Sequence, residues 1–302
     1  MNFVALLLGL GVERLLTDLF HLREFRWLDP LFDAVSSRAE RTNFWASMAV
    51  VIAVTVLAVL PVAAVSVLLA GTLLQIPYFF LAIVVLLFSL GPRDLRIEVD
   101  DYCASVTNDE DENVRRVSRE LMENDPPSDP ESCISSVRRA VFVQANNRIF
   151  AVVFWFLILG PTGAWLFRVL DLLRRRLAYR YSRNDDEQYS SSPYVRVVRS
   201  LHGILAWLPA RLLVVGYALA GSYEGAISAW RKYNPAPGSR FFEITNDVLD
   251  EVGDGASGEL GSADGEPQAA TRARDAMNLV HRTLWLIWCP TIAVLTLTDW
   301  LT

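Results

Sequence analysis

Between Arg41 and Arg93 lie 51 consecutive residues without a charged side chain. At about 1.5 Å of rise per residue this is roughly 77 Å of helix, about twice what one crossing of a bilayer's hydrocarbon needs. A stretch that apolar has no stable place in water, and one that long must turn back. The turn is expected at Gly71 to Pro77, leaving Phe44 to Leu69 and Tyr78 to Leu90 as two spans, with Pro61 kinking the first by removing a backbone donor. The whole chain agrees: 52% of its 302 residues are hydrophobic and its mean hydropathy is +0.28. The fold class expected is an all-α, multi-pass helical integral membrane protein with a broken helix and amphipathic interfacial helices.

Charge and rare residues remove several chemistries. The net charge of −6 and the dispersal of arginines among acids argue against nucleic acid as a partner. Lys232 is the single lysine and follows Arg231, so no Walker phosphate loop is encoded, and its neighbours offer no burial to activate it for Schiff-base chemistry. Cys103, Cys133 and Cys289 are odd in number and lie outside any CxxC pattern. His21, His202 and His281 are equally scattered, so no metal site is expected. GxSxG, HExxH and dinucleotide-binding fingerprints are missing, and no cofactor is expected.

Along the chain, residues 1–41 read as an N-terminal apolar or interfacial helix and loop, retained because Met1 to Val12 lacks the flanks of a removable signal. Residues 42–92 form the two-helix transmembrane hairpin. Residues 93–148 carry 13 acids and 8 arginines and read as a cytoplasmic polar helical region. There, Asp109 to Glu112 should favour the start of a helix over Val114 to Met122 through its dipole, rather than bind calcium. Residues 149–167 are a broken membrane segment, divided by Gly160-Pro161-Thr162-Gly163. Either a helix ends early there or the chain re-enters as a hairpin lining a cavity; arginines on both flanks favour re-entry under the positive-inside rule. Residues 168–233 are arginine-rich interfacial and membrane helices, 234–282 an acidic Gly/Ser-rich flexible linker, and 283–302 a C-terminal transmembrane helix with Trp285, Trp288 and Trp300 as interfacial aromatics.

Polar residues beside apolar segments are the candidate ligand-binding set: Gln144, Asn146, Asn147 and Arg148 before the break, Arg168 and Asp171 after it, and His202 and Arg211 further on. Gly160, Pro161 and Gly163 supply the backbone turn. Arg211 would cost ~2.5–3.5 kcal/mol at a span centre, so it should snorkel to the interface or bind an anion, helped by a new helix N-terminus at Pro209. Two arginines and helix ends at a membrane edge suit a phosphorylated or carboxylated amphiphile.

Val12-Glu13-Arg14, Leu90-Gly91-Pro92 with Tyr102 and Ala104, Gln144-Ala145-Asn146-Asn147-Arg148 leading into Phe150 to Phe156, Gly160-Pro161-Thr162-Gly163-Ala164 and Trp207-Leu208-Pro209-Ala210-Arg211-Leu212 together resemble the AmpE family. The resemblance implies an inner-membrane protein, encoded with the AmpD amidase and tied to control of β-lactamase expression and cell-wall recycling. Its implied partners are the lipid bilayer and an anionic amphiphile or cell-wall-derived ligand. AmpE is similar in turn to the CobD/CbiB membrane proteins, which join an aminopropanol unit to a corrin carboxylate using ATP. Acidic and asparagine positions of those synthases appear here as Val143, Gln144 and Asn147, their Asn-Thr-Leu-Asp as Asp171-Leu172-Leu173-Arg174, and their Asp-Asp as His202-Gly203, with Ala206 in place of a further asparagine. A magnesium-nucleotide ligation needs such acids. The expectation is therefore a signalling or ligand-sensing protein rather than an enzyme, with a membrane-bound ATP-dependent synthase as the alternative and a transporter third.

Overall fold

The structure is a computed structural model describing residues 43–70, 76–90, 94–184, 192–235, 240–258 and 267–297. The expected N-terminal helix and the turn at residues 71–75 lie outside the described residues. Every regular element among the described residues is helical. In chain order these are α1 (Phe44–Ala70), α2 (Ile76–Ser89), α3 (Leu95–Thr107), α4 (Asp111–Met122), α5 (Pro130–Ala145), a π-helical turn (Asn146–Phe150) and α6 (Ala151–Asn184). They are followed by α7 (Pro193–Ala220), α8 (Tyr223–Lys232), α9 (Phe241–Ser257), α10 (Gln268–Arg282), a second π-helical stretch (Thr283–Trp288) and α11 (Cys289–Leu297).

Among the described residues, three stretches are long and apolar enough to cross a membrane: Phe44–Leu69, Pro130–Tyr179 and Pro193–Ala220, whose most apolar 18-residue windows have mean hydropathies of 2.8, 2.0 and 1.7. In α1 the apolar residues surround the helix instead of forming a stripe, and Val67 and Leu68 are each 75% exposed. Such a surface calls for lipid as its solvent. The helix runs through Pro61 without interruption.

The described residues divide into two compact units, one made of 43–70, 76–90, 151–184 and 192–205, the other of 94–150, 206–235, 240–258 and 267–297. In the first, α1 and α2 pack on α6. Val51, Val54 and Val85 meet Trp165, Val169 and Leu173, and the Trp165 indole donates to the Ala58 carbonyl at 3.0 Å. Halfway along α6 the chain reverses. Gly160 has φ +63° and ψ −153°, and Pro161 follows it. A Cβ on Gly163 would collide with the carbonyl oxygen of Trp155, although eight residues of straight helix would separate the two by about 12 Å. The turn residues Gly160, Pro161 and Gly163 are buried, which is the condition for irregular backbone at membrane depth.

The second unit packs α3 against α10 and α5 against α9 and α10. Here the structure corrects the linker expected over 234–282. Val248, Leu249, Val252 and Ala256 bury one face of α9, and Ala270, Ala273, Met277 and Val280 one face of α10. Composition misled because the glycines are contact points. A Cβ at Gly253 would come within 2.7 Å of the Phe142 ring, and one at Gly255 within 2.6 Å of the Gly225 carbonyl oxygen. Glycine here allows close approach, and neighbouring helices supply the burial that offsets its entropic cost. Residues 259–266 of the expected linker lie outside the described residues.

Candidate functional site

The candidate residues fall into three places. In the second unit, Gln144 to Arg148 lie where α5 passes into the π-helical turn, and all of them are buried. The extra residue of that turn swings successive polar side chains inward, a distortion frequent at functional positions. The Gln144 side-chain amide donates to the Leu121 carbonyl at 3.1 Å and its oxygen accepts from Arg148 Nε at 3.1 Å. Arg148 Nη1 donates to Glu98 Oε2 at 2.8 Å. Asn146 and Asn147 lie side by side at 3.5 Å. Sequence reasoning missed Glu98, although it shares a helix face with Leu95, Val99 and Tyr102, and an acid on such a face signals a buried partner. Burial also pushes the Tyr102 phenol up to about 12, with Cys133 and Cys103 adding to the effect, so it acts as a neutral hydroxyl.

In the first unit Asp171 is fully buried and gathers arginines. Its Oδ1 takes Arg174 Nη2 at 2.8 Å, and its Oδ2 takes Arg175 Nε at 2.9 Å and Arg168 Nη1 at 3.2 Å. His202 Nε2 lies 3.5 Å from Oδ1, and its ring packs 5.2 Å from that of Phe167. Arg168, Asp171 and His202 therefore do come together. Arg174 and Arg175, which the sequence offered only as cytoplasmic charge, belong to the same cluster.

Arg211 stands in the third place, in the second unit. α7 continues through Pro209, so the fresh helix N-terminus expected there does not exist; one missing donor did not end a helix this well packed. The Arg211 guanidinium instead lies over the rings of Trp207 and Trp230, at 5.9 and 5.7 Å. Trp207 in turn stacks on Phe241 at 6.1 Å. Trp288, expected at the interface, is buried against Phe150 with ring centroids 5.1 Å apart.

A further network escaped the sequence. Arg138 on α5 bonds Asp250 at 3.1 Å and Asp254 at 2.6 Å on α9, and Arg139 pairs with Asp247. Burial raises the Asp250 carboxyl above the ordinary value, a rise that Arg138 and Arg139 oppose without cancelling. Among the described residues no group of three His, Cys, Asp or Glu side chains is placed to hold a metal.

Apolar spans, a buried helix reversal and polar clusters tied by arginine define a multi-pass helical membrane protein. Residues 1–236 match the family described as regulatory signalling modulator protein AmpE, and the chain belongs to that family. It is also similar to cobalamin biosynthesis proteins CobD. That of Stutzerimonas stutzeri is 30% identical over 182 residues, 59% of this chain and 56% of the relative. That of Chromobacterium violaceum is 29% identical over 119 residues, 39% and 35% of the two chains. The probable CobD of Thermococcus kodakarensis is 28% identical over 143 residues, 47% and 45%. The matched regions thus span about half or less of these relatives. No solved structure matches the chain.

Proposed function

We propose that this protein is a ligand-sensing regulator of the inner membrane, acting in β-lactamase induction and cell-wall recycling through an anionic, membrane-edge ligand. The observation that carries the reading is Arg211. Its guanidinium is stacked over two tryptophans, and among the described residues it makes no ion pair with a carboxylate. A half-buried cation of this kind favours an incoming phosphate or carboxylate, while Trp207 and Trp230 offer apolar surface to the ligand's body. Gln144, Asn146, Asn147, Arg148, Arg168, Asp171 and His202 then act by holding the two units' internal geometry.

The alternative, an ATP-dependent synthase of the CobD type, is supported by the identity to those proteins. Against it stands the occupation of Asp171: both its oxygens accept from arginines, whereas magnesium chemistry needs carboxylates open to the metal. The test is a β-lactamase induction reporter in cells carrying the wild type or Arg211→Ala, beside nucleotide-turnover assays on the purified protein. The proposal expects altered induction in the variant at unchanged membrane abundance, with no turnover. Unaltered induction, or turnover abolished by Arg211→Ala, overturns it.

A further inference from the structure

In the second unit, α7 is apolar on both of its sides. Ala210, Leu213, Val214 and Tyr217 are buried, whereas Leu208, Leu212, Val215 and Leu219 are between 43% and 60% exposed. The exposed four follow the i, i+4, i+7, i+11 spacing of one helix face. Four aliphatic side chains bare in one row call for an apolar solvent.

Beside this row the side chains turn aromatic and cationic. Trp207 and Arg211 stand one position before Leu208 and Leu212, at the edge of the row. Trp230, in the last turn of α8, covers the Arg211 guanidinium, and Phe241 opens α9 against Trp207. Arg231 and Lys232 follow Trp230, and Arg240 precedes Phe241; all three are exposed. Among the described residues none of these four cations pairs with a carboxylate, in a chain whose net charge is −6. The acids of the same segment are committed or distant. Asp247 pairs with Arg139 and accepts from the Tyr233 hydroxyl at 3.4 Å, and Glu243 accepts from the Arg240 amide at 2.9 Å. Glu224 stands in the first turn of α8, about 10 Å of helix before Arg231. Cations set among tryptophans beside an aliphatic row suit a surface that meets lipid headgroups and acyl chains together. A soluble anion would use Arg211 and leave the row bare.

We infer that this face seats an acidic phospholipid of the bilayer, its phosphate on Arg211 between Trp207 and Trp230 and an acyl chain along Leu212, Val215 and Leu219. Arg231, Lys232 and Arg240 supply the positive field around the headgroup. The seat rests on Arg211 being the anion site of the reading above, and it gives that anion a source in the membrane itself. A guanidinium offers two parallel N–H donors to phosphate oxygens, which holds one headgroup in place within a fluid layer.

Native mass spectrometry of the full chain in detergent, titrated with phosphatidylglycerol or with phosphatidylcholine of identical chains, is the test. One phosphatidylglycerol per chain is expected to bind about tenfold more tightly than phosphatidylcholine. Glycerol 3-phosphate and inorganic phosphate carry the anion without the tail, and should bind more weakly than phosphatidylglycerol by about tenfold or more. Arg211→Gln should remove the preference between the lipids, Arg211→Lys should keep part of it, and Arg231→Gln/Lys232→Gln should weaken it several-fold. The lipid comparison uses the wild type alone, so it stays decisive if a variant fails to fold. Equal binding of the two lipids overturns the lipid seat, as does a folded Arg211→Gln that keeps the preference. Soluble phosphate bound as tightly as phosphatidylglycerol overturns it too, yet leaves the sensing reading standing with its ligand in water. Unaltered β-lactamase induction in Arg211→Ala would remove that reading and leave the seat.

Discussion

Arg148 Nη1 meets Glu98 Oε2 at 2.8 Å with the two side chains only 4% and 7% exposed, joining the π-helical turn after α5 to the first turn of α3. Water has left both groups, and the ion pair, with Gln144 also accepting from Arg148, stands in for the lost hydration. Removing one partner strands the second, which costs about 3–5 kcal/mol in buried pairs, whereas an apolar replacement of both is often neutral. Glu98→Gln and Arg148→Met are each expected to lower the midpoint of thermal unfolding in detergent. The double variant Glu98→Leu/Arg148→Met should recover much of the loss. Additive losses would show that the pair is not the source of the effect.

The reversal in α6 makes a second prediction. At Gly163 an added Cβ would collide with the Trp155 carbonyl and lie 2.6 Å from Leu159 Cβ, so backbone or a packed side chain must move. At Gly160 the conflict is with the mobile end of Tyr78, whose hydroxyl oxygen would lie 3.0 Å away, together with the cost of a left-handed φ of +63°. Overpacking costs about 1–3 kcal/mol, and a left-handed alanine about 1–2 kcal/mol. Gly163→Ala is expected to destabilise at least as much as Gly160→Ala. Cysteines placed near Trp155 and Gly163 would cross-link in the wild type and lose that proximity in Gly163→Ala, as read by mass spectrometry.

These two positions also show how far the sequence could be read. The charge-free run from residue 42 to 92 is a property of solvent, independent of partners, so α1 and α2 were legible from composition. The acids at 109–112 likewise act locally, and the helix they favour begins at Asp111. Gly160-Pro161 was legible as a break, but only contact with Trp155 decides that it is a reversal. Long-range pairing was not legible. Glu98 and Arg148 stand 50 positions apart, and the arginines at 174 and 175 have the same composition whether they face water or Asp171. The glycines of α9 read as flexible because nothing local says that Phe142 and Gly225 occupy the space a side chain would need.

Two carboxylates outside the spans should respond to pH in opposite senses. Asp129 caps α5, its oxygen accepting from the Ser132 hydroxyl at 2.6 Å and the Ser132 amide at 2.9 Å, and these bonds hold its carboxyl below the ordinary value. A depressed folded value means that the stabilisation is present above the ordinary value and is lost as pH falls through the folded one. Asp250 is the reverse: burial raises its carboxyl, so the folded state binds the proton more tightly than the unfolded chain. Its contribution is full below the ordinary carboxylate value and declines as pH rises through the raised one. Denaturant midpoints in detergent from pH 3 to 7 should therefore show Asp129→Ala losing most, relative to the wild type, at the upper end of the range. Asp250→Asn should lose least there, because asparagine avoids burying a charge while Arg138 keeps Asp254. Parallel pH profiles for the two variants would contradict the opposed environments from which the signs are drawn.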